Sequence, residues 1–160
     1  MGVAGSGKSL IGAALAHSLE IDYVEGDDFH SPDNIARMAS GIALTDADRA
    51  DWLNALAKRI REAKEAGAGL VVACSALKRS YRDVLRAGAP EVRFIYLHGS
   101  RDLIADRLAS RGGHFMPPAL LDSQFATLEE PSPDEDVWAC DIANSPDAIV
   151  SSLVERISPS

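Results

Sequence analysis

Positive charge is in short supply: 16 lysines and arginines stand against 24 carboxylates, for a formal net charge of -8. Such a chain repels a phosphate backbone, so no nucleic-acid partner is expected. Cysteine is scarce as well. Cys74 and Cys140 each sit in an apolar run that reads as a buried strand, and reduced structural thiols of this kind suit a cytoplasmic location. No apolar run approaches membrane-spanning length and no secretory signal is recognisable, so no membrane partner is expected. Internal repeats and low-complexity tracts are absent too. What remains is ordinary globular composition, 46% hydrophobic and 25% charged over 160 residues, which reads as one domain, 1–160, with a real core.

The stretch that organises the rest is Gly2-Val3-Ala4-Gly5-Ser6-Gly7-Lys8-Ser9. It fits the phosphate-loop pattern of a glycine, four residues, then Gly-Lys-Ser, in which backbone N–H groups wrap the α- and β-phosphates of a nucleotide. Gly2, Ala4, Gly5, Ser6 and Gly7 form the candidate cradle. Lys8 reaches the β- and γ-phosphates, Ser9 offers its hydroxyl to Mg²⁺, and the helix starting near Gly7 aims its positive end at the anion. A plain Gly-rich turn before a helix is the alternative. The pattern normally follows a buried strand, yet only Met1 precedes Gly2. Either the natural protein begins several residues earlier, or the sheet folds with a central place open. The first is the expectation, because the second leaves ladder groups of two strands unpaired.

Downstream, helical and apolar segments alternate. Leu10, Ile11, Ala14, Leu15 and Leu19 recur at helical spacing, and Ile21 to Glu25 reads as a strand. It ends in Glu25-Gly26-Asp27-Asp28-Phe29-His30, a carboxylate cluster at the strand edge where open α/β sheets bind ligands. Ser31-Pro32-Asp33 starts a short helix, and Thr45-Asp46-Ala47-Asp48 caps a long one that carries Trp52, Leu53, Leu56 and Ile60 on one face. Trp52 reads as packing or as a stacking platform, and Arg49 as a ligand cation or a surface ion pair. Leu70 to Cys74 and Val92 to Leu97 read as strands covered on both faces, and Val137 to Ile142 as the last strand. The alternation predicts an α/β fold, a parallel sheet with helices on both faces. Arg107 and Arg111 share a helix face ahead of Gly112-Gly113, which suggests a lid over about 111–130. A salt-bridged surface helix is the other reading.

Phosphoryl transfer needs a phosphate cradle, Mg²⁺, a group to orient the acceptor hydroxyl, and mobile cations. All four have candidates here: Asp27 for the acceptor proton, Glu25 for a magnesium-bound water, and Lys8, Arg107 and Arg111 for the phosphates.

Several blocks together resemble the gluconokinase family: the phosphate loop; Gly26-Asp27 with His30, Asn34 and Met38; Leu44-Thr45-Asp46-Ala47-Asp48-Arg49 with Trp52-Leu53; Cys74-Ser75-Ala76-Leu77-Lys78 with Tyr81-Arg82-Asp83; Gly113-His114-Phe115; and Gln124-Phe125. The resemblance spans nearly the whole chain. It implies a P-loop NTPase fold of three α/β/α layers with strand order 2-3-1-4-5, the first strand missing here, and a substrate-binding helical segment over about 31–66. It also implies ATP- and Mg²⁺-dependent phosphorylation of D-gluconate at its 6-hydroxyl, often by a homodimer. On the matching positions, Asp27 is the acceptor-side carboxylate. Arg49, Ser75, Lys78 and Arg82 hold the sugar acid or its phosphate, with His30, Asn34 and His114 beside them. Arg107 and Arg111 belong to the adenine and lid side, with Asn144 and Pro146 near the base. A kinase of another hydroxy acid such as shikimate, or a non-catalytic nucleotide-binding module, stays open as an alternative.

Overall fold

The computed structural model describes residues 1–110 and 118–158. Its order is α1 (Lys8–Leu19), β1 (Asp22–Glu25), a 3-10 turn (Gly26–Phe29), α2 (Pro32–Ala39), α3 (Asp46–Glu65), β2 (Leu70–Ala73), α4 (Arg79–Gly88), β3 (Ile95–His98), α5 (Arg101–Ser110), α6 (Pro118–Thr127), a second 3-10 turn (Pro133–Glu135), β4 (Trp138–Asp141) and α7 (Pro146–Ile157). The helix starts follow from local chemistry. Ser31 and Ser145 accept from the N–H groups of Asn34 and Ala148, each with proline in the first turn. Thr45 and Asp48 form a reciprocal capping box at the head of α3.

The strands form two parallel pairs, β1 with β2 and β3 with β4, in registers Asp22↔Leu70 and Ile95↔Trp138. The chain start lies between them. Met1 donates its amino N–H to the Ile95 carbonyl and accepts from Leu97 N–H at 2.9 Å. Gly2 N–H donates to the Ser75 carbonyl at 3.1 Å, on the other side. The lateral order is therefore β1-β2-Met1-β3-β4. Behind Met1 lies a cavity of about 580 Å³ lined by Val71, Val72, Ala73, Ile95 and Leu97 among others. This explains a departure from expectation: Leu70, Val71 and Val72 are half-buried rather than sealed, because one flank of β2 faces that cavity.

Two cores make three layers. Ile11, Leu15, Leu97, Ile104, Ile142 and Leu153 pack on one side of the strands. Trp52, Leu53, Leu56, Cys74, Tyr81, Leu85 and Phe94 pack on the other. Each buried leucine contributes about 1.5–3 kcal/mol of apolar transfer. Cys74 and Cys140 are free thiols, and burial pushes the Cys74 thiol up to about 11, so both sit there as apolar side chains.

Candidate active site

The phosphate loop is built as its glycines require. Gly7 sits at φ +92° as the cap of α1, a backbone region that a Cβ makes costly. No side chain caps α1 and no carboxylate lies in its first turn, so its positive end is left to an outside anion. Lys8 Nζ donates to the Val3 carbonyl at 2.9 Å, holding the ammonium over its own loop. Ser6 Oγ is buried beneath the loop without a hydrogen-bond partner.

Asp27, the expected acceptor-side carboxylate, lies in the 3-10 turn that follows β1. A Cβ on Gly26 would lie 2.4 Å from the Ala73 carbonyl, so glycine alone lets this turn press against β2 and present Asp27 to solvent. Gly2 N–H of the phosphate loop donates to the Ser75 carbonyl, just past β2, at 3.1 Å. The loop and the Asp27 turn therefore both abut the end of β2. Tyr23 joins the two expected metal residues: its hydroxyl donates to Glu25 Oε2 at 2.7 Å and also meets the Ser9 side chain. Burial first, then Glu25, pushes that hydroxyl up to about 12. Among the described residues no cluster of three His, Cys, Asp or Glu side chains could hold a metal. An ion here needs the oxygen donors of Ser9 and Glu25 plus those of a phosphate, a donor set that suits Mg²⁺.

His30 is 8% exposed, stacks on Trp52 with ring centroids 4.3 Å apart, and leaves Nδ1 unpartnered. Burial lowers its pKa, which keeps the imidazole neutral at pH 7. Trp52 donates Nε1–H to the Gly26 carbonyl at 2.7 Å. It is a core residue that ties α3 to the Asp27 turn, which settles the choice left open by sequence in favour of packing.

Arg49 and Lys78 each stand 5.7 Å from the centroid of the Tyr81 ring. Arg49 donates to the Leu44 carbonyl at 2.6 Å and to Tyr81 Oη at 3.4 Å. Lys78 Nζ donates to both oxygens of Asp46 at 2.9 Å, and the Tyr81 hydroxyl donates to the same carboxylate. Tyr81, then Lys78, holds the Asp46 carboxyl below its ordinary range. Ser75 is half-buried and touches the loop through Gly2. Asn34 spends its amide on the Asp48 carbonyl at 2.7 Å, fastening α2 to the head of α3.

Arg82 requires a correction. It is fully buried, its guanidinium forked onto Glu135 at 2.6 and 2.8 Å, with Nη1 donating to the carbonyls of Ala76 and Leu77. With its donors spent in a sealed site, it does not face a sugar acid. It instead shapes the segment bearing Ser75 and Lys78, where Ala76 holds a positive φ of 44°.

Arg107 donates to the Ile142 carbonyl at 2.5 Å, which brings it to the turn carrying Asn144 and leading into α7 at Pro146, the residues expected beside the nucleotide base. Arg111 and His114 lie outside the described residues, as does the 111–117 part of the expected lid.

A family profile described as an AAA domain matches residues 1–131. A gluconokinase of Gluconobacter oxydans is 46% identical over 98% of this chain and 88% of its own length. The thermoresistant gluconokinase of Escherichia coli is 44% identical over 98% and 90%. The chain belongs to the gluconokinase family. The crystal structure of a gluconokinase from Sinorhizobium meliloti superposes with a TM-score of 0.87 at 44% identity, over 98% of this chain and 92% of that one. A shikimate kinase from Aquifex aeolicus, 13% identical with a TM-score of 0.59, shares the P-loop kinase fold alone.

Within this gluconokinase-family chain three contributors escaped sequence reading as site residues. Tyr81 and Asp46 were visible only as members of motifs, and their hydroxyl–carboxylate contact joins residues 35 apart. Gln124 Oε1 accepts from the Ala4 N–H of the phosphate loop at 2.7 Å, across 120 residues. No local pattern signals such a contact.

Proposed function

We propose that the chain transfers the γ-phosphoryl group of ATP to the 6-hydroxyl of D-gluconate, giving 6-phospho-D-gluconate and ADP. The observation that carries this reading is that the phosphate loop and the Asp27 turn both abut the end of β2, through Gly2 on Ser75 and Gly26 on Ala73, while Lys78 on the segment after β2 joins Arg49 around the Tyr81 ring. Gly2, Ala4, Gly5, Ser6, Gly7 and Lys8 take the triphosphate. Ser9 and Glu25 hold Mg²⁺, which when bound neutralises charge on the β- and γ-phosphates. Asp27 accepts the proton of the attacking alcohol. Arg49, Lys78 and Ser75 orient the sugar acid, with His30 and Asn34 framing its polyol side, and His114 and Arg111 complete the lid. Arg107, Asn144 and Pro146 border the base. The enzyme acts as a cytoplasmic homodimer on a small molecule, without nucleic acid or membrane. Among the described residues no helix is long and apolar enough to cross a membrane.

Asp27→Asn tests the assignment. It leaves ATP affinity near normal and lowers turnover by about 10²-fold or more, since a neutral amide cannot take the proton. Equal turnover in the variant removes Asp27 from the chemistry.

A further inference from the structure

Lys78 is already engaged before any sugar acid arrives. Both Asp46 oxygens lie 2.9 Å from its Nζ, the arrangement a substrate carboxylate would adopt on the same ammonium. The two partners differ in exposure. The Lys78 side chain is 29% exposed and that of Asp46 63%, so the carboxylate can leave into solvent while the cation stays fixed above the Tyr81 ring. Asp46 also opens α3, where the positive helix end offers it an alternative partner.

We infer that Asp46 is a placeholder carboxylate, bound to Lys78 in the substrate-free protein and exchanged for the carboxylate of the incoming sugar acid. The inference rests on the reading that Lys78 binds the substrate acid. The exchange keeps one anion on Lys78 throughout. An uncharged polyol has no group to put in the place of Asp46, whereas a sugar acid does, so the contact filters acceptors by charge at some cost in affinity. Arg49 stays anchored on Leu44 during the exchange and carries the second cation. Asp46 is thus a specificity-determining residue that acts through Lys78.

Steady-state kinetics of the full chain, varying gluconate at saturating MgATP, test this. Asp46→Asn removes the competing charge and lowers the gluconate KM about fivefold, with the ATP KM unchanged. Tyr81→Phe, which removes a hydroxyl holding Asp46, shifts the gluconate KM in the same direction by less. In a Lys78→Ala background Asp46→Asn has no further effect. If Lys78→Ala raises the gluconate KM but Asp46→Asn leaves it unchanged or raises it, the placeholder role is overturned alone. If Lys78→Ala leaves the gluconate KM unchanged, Lys78 is not in the substrate site and both readings fall.

Discussion

Arg82 shows how far a residue's meaning depends on its surroundings. In sequence it stands one turn beyond Lys78 and reads as another cation for the sugar acid. In the fold its charge is consumed by Glu135, with Arg86 Nη2 donating to the Glu135 carbonyl. Arg82 first, together with the Ser132 N–H, holds the Glu135 carboxyl down at about 2. A carboxyl depressed in the folded state contributes stability that is present above its unfolded pKa of about 4.5 and is lost as pH falls towards 2. Urea midpoints should therefore fall between about pH 4.5 and pH 2. Glu135→Gln should flatten that fall and cost about 3–5 kcal/mol at neutral pH, because it strands a buried guanidinium. A variant as stable as the parent would show that the pair does not hold this corner. Nothing around Arg82 in the sequence foretold this, because its partner lies 53 residues away.

Elements were far more legible than contacts. The capping serines, the Thr45 box and the Gly67 stop placed the helices to within a residue or two, since these signals are local hydrogen bonds and backbone preferences. Strand ends shifted more. Val92 and Arg93 precede β3 rather than belonging to it, and β3 begins at Ile95, where pairing with β4 starts. Helix α6 carries the clearest case of information that local pattern lacks, the Gln124 tether on the phosphate loop. This contact predicts that Gln124→Ala leaves the Ala4 N–H without its partner and loosens the loop. The ATP KM should rise about threefold to tenfold while the gluconate KM stays within twofold, the loss of one good hydrogen bond. Equal rises in both, or neither, would separate α6 from nucleotide binding.

At the scale of the molecule, the parallel α/β/α arrangement was visible from the alternation of segments, and the family resemblance named its strand order. The lateral order around Met1 agrees with both. The cavity between β2 and β3 is lined by Val71, Val72, Ile95 and Leu97, with Lys8 of the phosphate loop and Cys74 also on its wall. The candidate site draws on four segments that touch one another: the loop before α1, the turn after β1, the head of α3 and the segment after β2. Each was readable alone. Their convergence on one strand end depends on the parallel sheet, which points all those connections the same way.

The identity of the reaction is tested by ADP release from MgATP by this chain with D-gluconate, shikimate or a neutral polyol as acceptor. Release should depend on gluconate, with a product phosphorylated on its 6-oxygen and at least about 10²-fold lower kcat/KM for the other acceptors. ADP release indifferent to the acceptor, or equal use of shikimate, would contradict it.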